Sequence, residues 1–361
     1  MSRMNANTTN VQISLEITLE PHDAFDVFVD ELRLALFPEI IFEPGEGGRM
    51  TAGDTVVGTV TSWQPGKQIM LRWQPASWEP DEITQVQILF EAVPGGTKVT
   101  VNHAGWGKLL DNMSEITGWF ANQVAAPLLK ATSPDGFGDW ITDRRARRPS
   151  GAGSRSVYRD PLYHYPNFQV LLEELALTPP DYLVEIGCGG GAFLKEALKS
   201  GCRAAAIDHS LDMVQLATSE NQAAIQDGRL DIRQASSDNL PFPNDTFTCA
   251  VMTGVLGFLP DPVASFREIR RVLKQNGRFV CLGSDPELRG TPAAPEPMAS
   301  RLNFYSEEEL GQIAEKAGFD PVNVIRRNLG PYAKKVGIPE EFIGLFSGPG
   351  SQFLIAHKGN G

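Results

Sequence analysis

The chain has 361 residues, a hydrophobic share of 42 % and a formal net charge of −12. That length exceeds what one typical core needs, and the apolar content supports packed cores rather than disorder. The acidic balance argues against a nucleic-acid or anionic-membrane partner, because either demands a basic surface.

The first residues, MSRMNANTTN, lack the apolar core of a secretion signal, and 1–9 read as a disordered tail. No apolar run approaches the ~20 residues of a membrane helix, so no membrane insertion is expected. Cys188, Cys202, Cys249 and Cys281 all fall in the second half, with no C-x-x-C spacing. They read as buried, reduced thiols of a cytoplasmic protein, with no metal site.

Residues 10–18 alternate and predict a strand. Pro21, followed by Ala24, Phe25, Phe28 and Val29, predicts a short amphipathic helix. Period-two segments follow at 55–63, 68–73, 83–91 and 97–103, the last two joined by the turn Pro94-Gly95-Gly96. From 109 a helical stripe runs through Met113, Ile116, Trp119 or Phe120, and Val124 until Pro127 kinks or ends it.

A strand, a short helix, an antiparallel meander and a long carboxyl-terminal helix resemble the START-like (SRPBCC) helix-grip fold over 10–132. GTVTSWQPGKQIMLRW, VPGGTKVTVNHAGW and ITGWF look like its subgroup named for the activator of the heat-shock ATPase. The resemblance implies a sheet wrapped around the long helix, with an apolar cavity between them for an apolar ligand or a protein partner. Trp63, Trp73, Trp78, Trp106 and Trp119 are the side chains to line it, unless they are ordinary core and rim aromatics. His103 reads as a strand-end surface histidine.

Residues 133–157 read as a flexible linker, SPDGFGDW then PSGAGSRS, with Arg144, Arg145, Arg147 and Arg148 as a solvated face or a phosphate patch. Phe168, Leu171, Leu172 and Leu175 form a helix stripe. Tyr182 to Ile186 are mostly apolar β-formers and predict a buried parallel strand. Gly187-Cys188-Gly189-Gly190-Gly191 follows, then a helical pattern. A strand that turns through glycines into a helix presents backbone N–H groups and lets a ligand approach them closely. The spacing of Gly187, Gly189 and Ala192 also satisfies the dinucleotide fingerprint. A second strand, RAAAI, ends in Asp208, roughly 20 residues on, where a carboxylate can accept both hydroxyls of a ribose.

A helix with Met213, Leu216 and Ala217 on one face, a strand at 230–233 and the turn from Ser236 to Phe242 come next. The strand FTCAVM ends at Thr253-Gly254. A helix from Pro262, a strand at 278–282, a capping box of Ser306 and Glu309, and strands at 321–327 and 352–357 complete the chain.

VEIGCGGG, AAIDHS, DNLPFPNDTF and FREIRRVLKQNGRFV, in this order, resemble the class I S-adenosylmethionine-dependent methyltransferases over about 158–358, most closely the ubiquinone and menaquinone branch. The resemblance implies an α/β Rossmann-like domain over 158–361 with a mostly parallel seven-stranded sheet, the last strand antiparallel. It implies S-adenosyl-L-methionine as cofactor and a small, apolar methyl acceptor as partner. Its binding residues are then Glu185, Gly187, Gly189, Gly191, Asp208 for the ribose, His209 against the adenine, Ser236, Ser237, Asp238 and Thr253. Tyr158, Tyr163, His164 and Tyr165 become candidates for acceptor contact, in a segment expected to fold over the donor. The insertion 330–350 is expected near the acceptor mouth.

The chain departs from the pattern in two places. The adenine-binding Asp falls on Ser236, and the histidine pair after the fourth strand is replaced by Gly257-Phe258. That leaves His164 and Tyr165 as the catalytic candidates. Two other functions compete: a co-chaperone-like or ligand-binding protein with a weak or inactive second half, and a nicotinamide-dependent oxidoreductase. The intact glycine run and Asp208 oppose the first, and the segments 238–242 and 270–279 oppose the second.

Overall fold

In the computed structural model, residues 10–36, 41–74, 83–105, 128–129, 132, 134–348 and 350–359 are described. They form two compact units, one ending at Trp140 and the other beginning at Ile141. The expected tail 1–9, most of the long helix from 109 with its whole apolar stripe, and Trp78, Trp106 and Trp119 lie outside the described residues.

The first unit is a seven-stranded antiparallel sheet. In chain order its elements are β1 (Asn10–Ile17), α1 (Pro21–Leu36), β2 (Ile41–Phe42), β3 (Arg49–Ala52), β4 (Thr55–Gln64), β5 (Gln68–Trp73), β6 (Thr84–Val93) and β7 (Gly96–Ala104). The spatial order is β1-β7-β6-β5-β4-β3-β2. The short strands β2 and β3 were not expected, because two and four residues carry too little alternation to read. Helix α1 is also longer than its first apolar stripe. It buries Phe25, Phe28 and Leu32 at helical spacing. Phe25 packs edge-on to Trp63 at 5.1 Å and against Phe90 at 5.2 Å, and Phe28 meets Phe90 at 5.8 Å.

Trp63 and Trp73 pack, half-buried, against this core. His103 corrects an expectation: it is buried rather than on the surface. Period two puts it on the core face with Val99 and Val101. Its Nε2 lies 2.8 Å from the Thr84 hydroxyl, and burial pulls its pKa down to about 4.

Helix α2 (Pro134–Thr142) runs across the division of the chain, and the second unit continues with a π turn Asp143–Arg147, α3 (Gly151–Arg159) and α4 (Tyr165–Leu175). Then come β8 (Tyr182–Ile186), α5 (Ala192–Ala197), β9 (Arg203–Asp208), α6 (Leu211–Glu220), α7 (Gln222–Gln226), β10 (Leu230–Gln234) and β11 (Phe247–Met252). The chain closes with α8 (Pro262–Val272), β12 (Leu273–Leu282), α9 (Glu307–Lys316), β13 (Val322–Arg327), α10 (Gly330–Lys335), α11 (Glu340–Ile343) and β14 (Ser351–His357). Ser306 and Glu309 make the expected capping box at the start of α9.

The sheet order is β10-β9-β8-β11-β12-β14-β13. Strands β8 to β12 pair in parallel, and β14 runs antiparallel to both β12 and β13. This is the Rossmann-like, mostly parallel sheet expected, buried on both faces. One face carries Phe266, Ile269 and Phe279, the other Phe168, Phe193 and Phe353. Among the described residues, no helix is long and apolar enough to cross a membrane. All four cysteines are free and buried.

The segment 133–157, expected as a flexible linker, is largely helical. The physical reason is a set of anchors absent from composition alone. The Ser154 hydroxyl donates to the Arg144 carbonyl at 2.7 Å, and Arg155 pairs with Asp212 at 2.7 Å. Arg147 pairs with Asp143 inside the π turn.

Candidate functional site

The chain leaves β8 for β9 and β10 on one side, then returns across β8 to β11 and β12 on the other. The reversal opens a crevice at the carboxyl ends of β8 and β11, where ligands of open α/β sheets bind. Of the residues singled out in the sequence, Glu185, the glycines, Asp208, His209 and Thr253 lie at the carboxyl ends of β8, β9 and β11.

Strand β8 runs straight into the glycine turn. Gly187, Gly189 and Gly191 have φ of +75°, +50° and +78°, a region only glycine enters without strain. The Gly187 and Cys188 amides both donate to the Ile207 carbonyl, at 2.8 and 3.0 Å, which ties the turn to β9. The turn is also tightly covered. A Cβ at Gly187 would lie 2.2 Å from a Val255 methyl, and one at Gly190 would lie 2.2 Å from the Tyr158 carbonyl oxygen.

Two carboxylates meet at this turn. Asp208, at the tip of β9, accepts from the Gly189 amide at 2.9 Å and from the Ser210 amide at 2.8 Å. Burial pushes its carboxyl up, and those amide bonds pull against that. Glu185 is 1 % exposed, and its Oε2 has no hydrogen-bond partner. Burial pushes its carboxyl well above the usual range, and the nearby Asp208 charge adds to this. A buried carboxylate without a donor is costly, so an orphan here marks a place for a cationic or hydrogen-donating group.

Residues 143–159 form a strap across the turn and the tip of β9. The Ser210 hydroxyl donates to the Pro149 carbonyl at 2.5 Å, and the His209 Nε2 bonds the Arg147 carbonyl. The Tyr158 ring lies against Gly189: a Cβ there would be 2.8 Å from it. Burial, then the charge of Asp208, raises the Tyr158 phenol. Arg159 reaches Glu220 at 3.0 Å, and Glu220 also holds Lys195 at 2.6 Å.

The other expected residues divide. Thr253, directly after β11, has a buried hydroxyl without a partner. Ser236 donates to Asp238 at 2.5 Å, both exposed, in the turn after β10. The Ser237 hydroxyl is engaged by Ser265 on α8 at 2.9 Å. His164 is exposed beside Phe168, with rings 6.3 Å apart. Burial pushes the Tyr165 phenol up to about 12, and Asp160, which it hydrogen-bonds, adds to this. Tyr163 stacks on Phe346 of the 330–350 insertion at 6.4 Å. Of the aromatic candidates, Tyr158 is therefore the one that meets the glycine turn. Ser210 and the strap carbonyls were missed, because a Gly/Ser-rich run carries no signal for where its backbone docks.

Both units are similar to known proteins. A family model described as a methyltransferase domain matches residues 184–281, and one described as activator of Hsp90 ATPase homolog 1-like protein matches 18–123. The chain is 26 % identical to a demethylmenaquinone methyltransferase of Lactiplantibacillus plantarum, over 47 % of this chain and 83 % of that protein. It is 33 % identical to the demethylmenaquinone methyltransferase of Corynebacterium kroppenstedtii, over 40 % of this chain and 70 % of that one. Among solved structures, it is similar to a geranyl diphosphate C-methyltransferase of Streptomyces coelicolor at 18 % identity and a TM-score of 0.43. That likeness covers 58 % of this chain and 84 % of that one. With a third of its residues shared over most of one such relative, and the methyltransferase domain lying on the glycine turn and its strands, the chain belongs to the methyltransferase family.

Proposed function

We propose that the second unit transfers a methyl group from S-adenosylmethionine to a small, apolar acceptor. The observation that carries this reading is Glu185, a buried carboxylate with an orphan oxygen beside a glycine turn closed by Asp208. When bound, S-adenosylmethionine supplies a methyl on a sulfonium, open to in-line displacement. Glu185 would accept from the ammonium of its amino-acid tail, and the glycine amides would face its carboxylate. Asp208 keeps lone pairs beyond its two amide bonds, which suit ribose hydroxyls. His209 and the 236–238 turn would border the adenine. Alignment and exclusion of water by the 143–159 strap would then supply much of the rate.

Burial and the neighbouring Asp160 raise the Tyr165 phenol to about 12, which disfavours it as the group that takes a proton from the acceptor. His164 stays the other candidate to take a proton, and an acceptor that is acidic or that reacts without a base would need neither. The relatives named for demethylmenaquinone methylation support a hydroquinone-like acceptor. We take the methyltransferase unit to begin at Ile141 rather than 158, because the strap folds onto it. Four buried free thiols fit a reducing, cytoplasmic setting. The first unit we assign to binding an apolar ligand or a protein partner.

Incubation of the full chain with methyl-labelled S-adenosylmethionine and a panel of hydroquinones, phenols and amines tests the reading. Label should pass into the organic extract with at least one phenolic acceptor. Label confined to the aqueous phase throughout, with donor bound, would contradict an apolar acceptor.

A further inference from the structure

Gln352, at the start of β14, is 1 % exposed, and neither its Oε1 nor its Nε2 has a hydrogen-bond partner. Its place is built for it. Gly283 is its register neighbour at the end of β12, and the Gly283 amide donates to the Gln352 carbonyl at 2.9 Å. A Cβ at Gly283 would lie 2.7 Å from Gln352 Oε1, so the sheet omits a side chain there and the amide occupies the space. Arg326, paired with Gln352 across β13, is taken by Asp285 at 2.7 Å, by Glu307 and by the Gly350 carbonyl at 2.9 Å.

The position is also on the reacting edge of the sheet. The antiparallel β14 starts where the parallel strands end. Residues 283–305 arch over that edge: the Ser284 hydroxyl donates to the Asn303 carbonyl at 2.7 Å, and the Asn303 amide donates to Gly257 at 2.8 Å, just past β11. Gln352 therefore sits two strands, ~10 Å, beyond β11, where Thr253 presents its own unpartnered hydroxyl. Asp208, the ribose acid, is on the opposite side of β8. An acceptor beyond Thr253 meets β12 and β14.

We propose that Gln352 anchors the methyl acceptor, and that the acceptor is a neutral molecule presenting a hydroxyl to this amide. The inference rests on the methyl-transfer reading and deepens it. A carboxamide has both a donor end and an acceptor end, and a hydroxyl can satisfy either. An anion would meet Oε1 and the buried Asp285 unfavourably, and Arg326, the register partner of Gln352, is engaged by Asp285 and Glu307. A buried amide with both ends unmet destabilises a fold unless a bound group meets it.

The test uses the full chain, wild type and Gln352→Met, with a short-chain prenylated naphthohydroquinone as acceptor. Methionine keeps the length and removes both polar atoms. Expected are a melting temperature at or above wild type, unchanged affinity for S-adenosylmethionine, and a KM for the hydroquinone raised roughly tenfold or more with kcat less affected. Gln352→Glu, which keeps one acceptor oxygen, should restore part of the loss at low pH. A melting temperature lowered by more than about 5 °C would assign Gln352 to structure instead. Unchanged KM with donor binding intact would overturn the anchoring role alone. No turnover of the hydroquinone by wild type would overturn the acceptor class, and no binding of S-adenosylmethionine by wild type would remove the methyl-transfer reading and this inference with it.

Discussion

The Asp208 carboxylate at the tip of β9 accepts the Gly189 amide of the turn after β8, at 2.9 Å. One side chain thus shapes the glycine turn and, on the proposed reading, would also take the ribose. A strand-tip position alone suggests that its loss is tolerated, but Asp208 is buried and holds the Ser210 amide as well.

Asp208→Ala should therefore act twice. Donor affinity should fall roughly ten- to a hundred-fold, since hydrogen bonds to a charged group are worth about 1.5–3 kcal/mol and ~1.4 kcal/mol is tenfold. Stability should fall by about 1–3 kcal/mol, because two amides lose their acceptor. Calorimetry and denaturant titration read the two effects. An unchanged dissociation constant would put the ribose elsewhere.

Glu185 should make donor binding release a proton. Burial and Asp208 raise its folded pKa, so the folded state holds a proton that the unfolded chain loses near the ordinary carboxyl value of about 4.3. Its contribution to stability is present below that value and is lost as pH rises toward the folded pKa. Glu185→Gln should remove this slope, gain stability at neutral pH and weaken the donor at least tenfold. Titrations in buffers of different ionisation enthalpy should show proton release in wild type and none in the variant. Equal heats in all buffers for wild type would count against an ionised Glu185 in the complex.

Asp181 should behave in the opposite sense. Burial alone would raise its carboxyl, but hydrogen bonds from Arg278, Thr248 and Thr178 hold it well below the usual range. A depressed pKa contributes stability above the unfolded value, lost as pH falls through the acid range. Asp181→Asn should cost about 1.5–3 kcal/mol at pH 7, and progressively less as the pH falls below the ordinary carboxyl value of about 4. A loss independent of pH would mean that packing rather than charge holds this corner.

Gly190→Ala should lift the strap. The new Cβ would lie 2.2 Å from the Tyr158 carbonyl, which as backbone cannot swing aside. Cleavage by trypsin at Arg144, Arg145 or Arg147 should then quicken several-fold while the sheet stays folded. An unchanged cleavage pattern would show that the strap is not seated on the turn.

A chain of residues 141–361 should fold and bind the donor with near full affinity, because it keeps the strap with the turn it covers. A chain starting at 158 should bind it more weakly, having lost Pro149, the partner of Ser210. Equal donor affinity in the two would contradict a role for the strap. Acceptor turnover by the longer fragment, measured against the full chain, tells whether the first unit takes part in the reaction.

The second unit could be read from its sequence almost strand by strand. A parallel sheet needs continuous apolar runs such as FTCAVM, and a turn that binds a ligand needs glycines at fixed places, so both leave local marks. The buried carboxylates Glu185 and Asp208, which we propose for the donor, stand beside these same local marks. His103 reads as a surface residue from its place at the strand end, although its register with Val99 and Val101 sets it on the covered face of β7. The strap was missed because its order comes from distant partners, Ser210, Asp212 and Glu220, rather than from its own Gly/Ser-rich composition. Gln352 gave no signal, since a single glutamine in a strand is ordinary until its two unmet polar atoms are seen.

The central claim is that the glycine turn after β8, with Asp208 at the tip of β9, takes S-adenosylmethionine. Calorimetric titration of the full chain with S-adenosylmethionine, beside an identical titration with NADH, tests it most directly. The account predicts saturable heat with S-adenosylmethionine or its demethylated product, lost in Asp208→Ala, and no heat with NADH. Saturable binding of NADH with none of S-adenosylmethionine would contradict it.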